Sequence, residues 1–185
     1  MATVEEWVED EFLARASHAL SSGGRRWLVD PVDNADVARL ENVVGVIQLL
    51  DRHKRDCVAL ANRFAVPHHV VPEQRIGPFE FLSIRMSRGW REVALWWPAE
   101  RVLVCADALG TARYFRAGRE RLGVHPLLRL RPPAIPVQPE VILCGHGPGI
   151  FSAADAALRE ALSTSRRRIP SQLASAAGAW ALRGR

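Results

Sequence analysis

The sequence contains no apolar run that approaches the roughly 20 residues a transmembrane helix needs. It also has no repeat of fixed period and no low-complexity tract that would divide it into units. The first ten residues include no basic residue and therefore do not resemble a signal peptide. Cysteine is scarce and odd in number, with three residues, which indicates reduced thiols. We therefore expect a cytoplasmic protein that does not associate with membranes.

Lysine is almost absent, because Lys54 is the only one and arginine supplies the rest of the positive charge. The formal net charge of +5 makes nucleic acids and acidic small molecules candidate partners. The arginines are scattered from Arg15 to Arg185, however, and no basic stripe interleaved with aromatic residues occurs. Nucleic-acid binding therefore stays an alternative rather than the main expectation.

The composition is that of a folded protein. Hydrophobic residues make up 48% of the chain and charged residues 24%, which excludes a mainly disordered chain. The 185 residues suit one domain with a substantial core. We place this domain at residues 1–165 and treat residues 166–185 as a basic, alanine-rich C-terminal tail.

Strands and helices alternate along the chain, which indicates an α/β class. Apolar runs and alternating patterns predict strands at residues 12–21, 26–29, 43–50, 70–71, 79–86, 92–97, 101–105 and 141–144. Helical spacing predicts helices at residues 35–40, 56–64, 112–122 and 152–163. Asn34 is expected to cap the first of these helices, and Ser152 with Asp155 forms a predicted capping box for the last.

Three of the predicted buried strands end in polar residues that an apolar run does not need. The strand at 43–50 leads into the charged segment 51–57, the strand at 101–105 leads into Asp107, and the strand at 141–144 leads into His146. Loops at strand ends are where α/β proteins usually assemble their sites. These three loops are therefore the predicted site.

The order of these segments resembles the metallo-β-lactamase superfamily, whose fold is an αββα sandwich. Segment 49–57 resembles the family's His-x-His-x-Asp-His loop, and segment 86–95 resembles its Pro-Gly-His segment. Segment 104–107 resembles the strand that carries the bridging aspartate, and segment 144–147 resembles the final Gly-His-Gly. The resemblance covers residues 10–163 and implies an αββα sandwich, although the individual motifs are eroded.

Active members of this family bind two metal ions, usually zinc, and use a bridging hydroxide as the nucleophile. Transferred by position, the first two histidines of the loop fall on Arg52 and Lys54, and the histidine of the Pro-Gly-His segment falls on Arg88. A guanidinium has no lone pair to donate, and a lysine ligates only when deprotonated. The resemblance therefore implies that the first metal site is lost. These three cations are expected to pair with carboxylates or to bind an anion.

The second metal site keeps residues that can bind a divalent ion. Its positions fall on Asp56, Cys57, Asp107 and His146, a set that suits a single zinc or iron ion. Each also has a structural explanation: an aspartate is a favoured helix N-cap, and a cysteine on an apolar helix face packs as a small hydrophobic residue. His53 lies one residue out of phase with this set, so we interpret it as pointing away from the site.

The leading functional hypothesis is therefore a protein with a degenerate metal site. It would lack dinuclear hydrolase activity and any cofactor, and it would bind a small anionic molecule or a protein partner through the remnant cleft. The alternative is a hydrolase of esters, thioesters or phosphodiesters that uses one zinc or iron ion held by the second site. The two hypotheses differ in a measurable property, the metal content of the purified protein.

Overall fold

A computed structural model describes residues 2–172 and consists mainly of two β-sheets. The first sheet contains five strands in the order β1-β2-β3-β4-β5. Their bounds are Thr3–Val8, Ala16–Ser22, Arg25–Val29, Val43–Gln48 and His68–Val70. The first three strands are antiparallel, whereas β3, β4 and β5 run parallel.

The second sheet contains four strands in the order β11-β8-β7-β6. The bounds of β6, β7, β8 and β11 are Glu80–Ser87, Trp90–Trp97, Val102–Cys105 and Val141–Cys144. Strands β8 and β11 are parallel, so the loops that follow them leave the sheet at the same edge. A separate short pair is formed by β9 and β10, at Leu109–Gly110 and Gly123–Val124.

The main core lies between the two sheets. Trp27 and Ile47 of the first sheet, together with Leu95 and Trp97 of the second, belong to one buried cluster. Phe79 lies edge-to-face between Trp27 and Trp97, at 5.2 and 5.3 Å between ring centroids. Helix α2, at Ala154–Thr164, contributes its small and aliphatic buried face to the same cluster.

A second cluster lies on the other face of the first sheet, where α1 packs. Helix α1 spans Cys57–Phe64 and buries Cys57, Leu60 and Ala61 against Leu28 and Val46. Helices α1 and α2 therefore each pack against a sheet, which confirms the α/β class predicted from the sequence. In the part of the chain that the structure describes, no helix is long and apolar enough to cross a membrane.

Two of the sequence-based elements are wrong. Residues 112–122 form turns rather than a helix, because Gly118 adopts a positive φ and the buried Glu120 carboxylate accepts the Ala117 N–H instead. The predicted capping box of the last helix is also absent, since α2 begins after Ala153 with no side-chain cap. Asp155 instead pairs with Arg159 one turn later.

Other boundaries shift by a few residues. The first predicted strand begins later, as β2, and the unpredicted β1 pairs with it. The helix predicted at 35–40 is a single 3₁₀ turn, Val37–Arg39, held at its start by the Asn34 side chain, which accepts the Val37 N–H at 2.9 Å. Residues 173–185 of the predicted tail lie outside the described residues, so the domain boundary stays a prediction.

Candidate metal centre

Three side chains from three strand ends converge on one point. His53 follows β4, Asp107 follows β8 and His146 follows β11. Nε2 of His53 lies 2.8 Å from Oδ1 of Asp107, and Nε2 of His146 lies 3.1 Å from the same oxygen. All three candidate ligand atoms lie within 4.8 Å of one another. We call this set the His-Asp-His group.

The outer nitrogen of each imidazole is held by an acceptor. Nδ1 of His146 donates to the backbone oxygen of Leu13 at 2.9 Å, and Nδ1 of His53 lies 3.3 Å from Oδ2 of Asp30. A carbonyl and an ionised carboxylate can only accept, so each Nδ1 carries a proton. Each Nε2 is hydrogen-bonded to Asp107 and becomes the atom that can donate a lone pair to a metal ion once its proton is released. This carboxylate–histidine arrangement is the usual support of a metal-ligating histidine.

The charges inside the group are strongly coupled. Burial disfavours a charged His53, but the hydrogen bonds with Asp107 and Asp30 outweigh it and raise the pKa of His53 to about 9. Burial likewise disfavours ionised Asp107, yet the hydrogen bonds from His146 and His53 hold the pKa of Asp107 well below its usual range. A divalent cation and these imidazole protons therefore compete for the same atoms.

A buried glutamate holds the backbone of Asp107. Oε1 of Glu92 accepts the N–H groups of Asp107 and Ala108 at 2.9 and 2.8 Å, and Oε2 accepts Nε1 of Trp90 at 2.8 Å. Burial raises the pKa of Glu92 to about 7, against the effect of these donors. These hydrogen bonds hold the backbone of the turn after β8 in place, and they thereby set the direction in which the Asp107 side chain points.

A cation lies beside the group and joins the ends of three strands. The Arg55 guanidinium donates to the backbone oxygens of Ala16, Asp30 and Gly145 at 2.5, 2.6 and 2.8 Å. Burial lowers the pKa of Arg55, while the nearby carboxylates of Asp30 and Asp107 oppose that shift. This fixed positive charge disfavours a second metal ion next to the first.

The structure brings together only part of the predicted ligand set. Asp107 and His146 belong to the His-Asp-His group, whereas Asp56 and Cys57 do not. Oδ2 of Asp56 accepts the N–H of Asp33 at 2.9 Å, and Cys57 is buried in the cluster beneath α1. The reason is that α1 begins at Cys57, so its side chain follows the apolar face of the helix.

The predicted cluster of cations is not assembled either. Arg52 reaches Oδ2 of Asp107 at 3.4 Å, and its guanidinium lies 4.4 Å from the centre of the Trp90 ring. Lys54 is exposed, and Arg88 is exposed in the turn between β6 and β7. Neither forms an ion pair within residues 2–172.

Sequence reasoning missed His53, Asp30 and Arg55. The interpretation of His53 as pointing away assumed that alternate residues of the loop face the site. The loop instead turns at residues 51–52, and Arg55 adopts a positive φ of 38°. Shifting the alignment by one residue, so that His53 rather than Lys54 matches the second histidine of the family loop, is the signal that could have found it.

A cavity of about 250 Å³ adjoins the His-Asp-His group. Asp107, His146 and His125 form its polar side. Its apolar side comes from two loops, with Phe12 and Leu13 before β2 and Tyr114 and Phe115 between β9 and β10. The cavity can therefore present a small, partly apolar molecule to the candidate metal ligands.

No protein-family model matches this sequence, and no curated protein matches it either. Solved structures do match the fold. The B3 metallo-β-lactamase BLEG-1 is 15% identical with a TM-score of 0.54, over 80% of this chain and 93% of the other. TTHA1623 in a di-iron-bound form is 17% identical with a TM-score of 0.50, over 85% of this chain and 95% of the other.

A third match has a different activity in its name. Rubredoxin oxygen:oxidoreductase from the anaerobe Desulfovibrio gigas is 14% identical with a TM-score of 0.57, over 82% of this chain and 53% of the other. The chain therefore has a metallo-β-lactamase fold, as the sequence resemblance implied. These matches include a lactamase and an oxidoreductase, so the fold leaves the reaction open and only the geometry of the site can indicate a function.

Proposed function

We propose that this protein binds one divalent metal ion through His53, Asp107 and His146 and hydrolyses a small compound in the adjoining cavity. The observation that carries the proposal is the convergence of two Nε2 atoms on one carboxylate oxygen, with both Nδ1 atoms held by acceptors. Catalytic metal sites commonly use three protein ligands and keep a position open for water or substrate.

The donor set fits zinc or iron(II). Two imidazoles and one carboxylate are ligands for catalytic zinc and for non-haem iron, and no thiolate is among them. The number of ions follows from charge, because the Arg55 guanidinium already neutralises part of the local carboxylate charge. The sequence-based alternative of a single ion is thus retained, with His53 in place of Asp56 and Cys57 in the ligand set.

When bound, such an ion lowers the pKa of water and polarises a carbonyl or phosphoryl oxygen. The chain's own residues supply the remaining requirements. Asp30 orients His53, the Leu13 carbonyl orients His146, and Tyr114 and Phe115 give the cavity an apolar wall against which a substrate can pack. Arg52, exposed at the edge of the group beside Asp107, can hold an anionic part of the substrate.

The first experiment measures metal content by elemental analysis and affinity by calorimetry with zinc and with anaerobic iron(II). We expect one ion per chain, and at least a hundredfold loss of affinity in His53→Gln and in His146→Gln. His69→Gln is the control, since His69 lies outside the group. Absence of metal after incubation with excess zinc contradicts the proposal.

A cobalt(II) spectrum distinguishes the proposed ligand set from the one predicted by sequence. A thiolate ligand produces a sulfur-to-cobalt charge-transfer band, which the His-Asp-His group cannot give. We expect no such band, and no change of the spectrum in Cys57→Ser. A band that disappears in Cys57→Ser would show that the loop rearranges to bring the thiol to the metal.

A second candidate function is binding of a small anion without any metal, the leading hypothesis from the sequence. It is favoured by the Arg52 guanidinium, which is exposed over Trp90 and also reaches Asp107. Metal-free protein that binds phosphate or acetate, and loses this binding in Arg52→Gln, would support it. The same measurement on protein loaded with zinc separates the two candidates.

A further inference from the structure

His125 has a tautomer fixed by the fold. It immediately precedes a 3₁₀ turn at Pro126–Leu128, and its backbone N–H donates to the Ala108 oxygen at 2.9 Å. Its Nδ1 accepts the backbone N–H of Leu127 at 3.2 Å. An N–H group can only donate, so Nδ1 carries no proton and the proton of the neutral ring is on Nε2.

The surroundings of this ring keep it neutral. Its centroid lies 4.9 Å from that of Trp90, 5.5 Å from that of Phe115 and 5.9 Å from that of Tyr114, edge-to-face in each case. These apolar contacts agree with the direction of its pKa, which burial lowers to about 4. At neutral pH the ring is therefore a hydrogen-bond donor at Nε2 and not a cation.

This donor has no acceptor from the protein. Within residues 2–172 the side chain of His125 makes one hydrogen bond, and that bond occupies Nδ1. The same residue lines the cavity beside Asp107 and His146. Nε2 is consequently the ring nitrogen left to a molecule in the cavity. His125 is 9% exposed, and Nε2 is not among the fully buried atoms that lack a partner, so this donor can be reached from the cavity beside the candidate metal ligands.

We propose that His125 Nε2–H binds an oxygen atom of the substrate, and that the substrate is a small carboxylic acid derivative with a planar apolar group. The apolar group packs against Tyr114, Phe115 and Leu13, which also line the cavity. Its carbonyl or carboxylate oxygen accepts from His125 while it faces the His-Asp-His group. This assignment rests on the proposed function for its reaction, but the hydrogen bond can be tested by binding alone.

The test uses phenylacetate, an aryl carboxylate of the proposed product class, and zinc-loaded protein. Long-range ¹H–¹⁵N NMR of the wild-type protein reads the tautomer of His125 directly. We expect the proton on Nε2, and a shift of that resonance on addition of phenylacetate. A proton on Nδ1, or no binding of phenylacetate at millimolar concentration, overturns the proposal without the need for any variant.

Two variants measure what the hydrogen bond contributes. His125→Phe keeps an aromatic ring against Trp90 but removes the donor, and we expect phenylacetate to bind about 10- to 100-fold more weakly. His125→Gln restores a donor and should recover part of the affinity. Zinc affinity should be the same in both variants and in the wild type. Equal phenylacetate affinity in wild type and His125→Phe contradicts the role of His125.

The outcomes also separate this inference from the proposed function. Phenylacetate binding that depends on His125 in a protein that takes up no zinc would refute the metal-dependent hydrolase and support the role of His125. Zinc binding with phenylacetate affinity insensitive to His125 would refute the role of His125 alone.

Discussion

The role of Arg55 gives the sharpest prediction about stability. Replacing Arg55 by methionine keeps an unbranched side chain but removes a guanidinium that donates to the backbone oxygens of Ala16, Asp30 and Gly145. Leaving a buried acceptor without its donor costs about 1–3 kcal/mol, and three acceptors are affected. Because the side chain is partly exposed, water can reach some of them and the costs do not add. We expect Arg55→Met to lower the free energy of unfolding by about 2–4 kcal/mol.

The assay is urea unfolding followed by circular dichroism, with EDTA present so that metal binding does not contribute. Arg55→Lys should be intermediate, because an ammonium group cannot reach three carbonyls with the geometry of a guanidinium. Lys54→Met changes the neighbouring, exposed cation and should stay within about 0.5 kcal/mol. Arg52→Met removes an exposed pair with Asp107 and should cost at most about 1 kcal/mol.

The ranking of these variants decides between two views of the charged loop. The alignment with the metallo-β-lactamase motifs predicts that Arg52, Lys54 and Arg88 stabilise the loop by pairing with carboxylates. In the structure, Arg55 makes the stabilising contacts. An Arg55→Met variant as stable as Lys54→Met, or less affected than Arg52→Met, would refute the reasoning from the three carbonyl contacts.

Three further predictions concern the packing around the site. Leu60→Ala should lower the free energy of unfolding by about 2–5 kcal/mol because Leu60 is fully buried on the inner face of α1. Val58→Ala on the exposed face of the same helix should change it by about 0.5 kcal/mol or less, and both are measured in urea. Arg129→Met should cost about 3–5 kcal/mol in the same assay, since it leaves the buried Glu120 carboxylate with only the more distant Arg168 guanidinium, at 3.5 Å. Gly123→Ala should yield little soluble protein on expression, because its Cβ would lie 2.1 Å from a backbone oxygen; normal yield and melting temperature would contradict this.

The strands of the sheets could be predicted because strands that are buried on both faces consist of continuous apolar residues. The apolar run that became β4 and those that became β8 and β11 have nowhere to lie except between packed layers, and their positions are correct within a few residues. The segment at 112–122 has helical spacing as well, but a buried Glu120–Arg129 pair and a glycine at positive φ determine its conformation. Those are tertiary effects that spacing cannot reveal.

The position of the site could be predicted from the sequence, but the full set of residues that form it could not. Asp107 and His146 were found because each follows a buried strand, where the backbone direction is set by the sheet. The loop after β4 has no such constraint, and one residue with positive φ, Arg55, changes which side chains face inward. An alignment offset of one residue therefore selects Lys54 instead of His53, and it adds Asp56 and Cys57, which lie outside the His-Asp-His group.

The charged residues of segment 51–57 make the metal-binding motifs look degenerate, but one of them, Arg55, stabilises the fold by binding three backbone oxygens. Strands β2, β3 and β11 all direct backbone oxygens towards one point, and some cation must neutralise the carboxylates of Asp30 and Asp107 nearby. A guanidinium fulfils this requirement permanently, independent of metal supply. The Arg55 guanidinium forms no hydrogen bond to His53, Asp107 or His146, so it does not occupy their candidate ligand atoms. The charged segment thus contains a structural arginine next to His53, a candidate ligand, so the loss of family motif residues is weak evidence against a metal centre here.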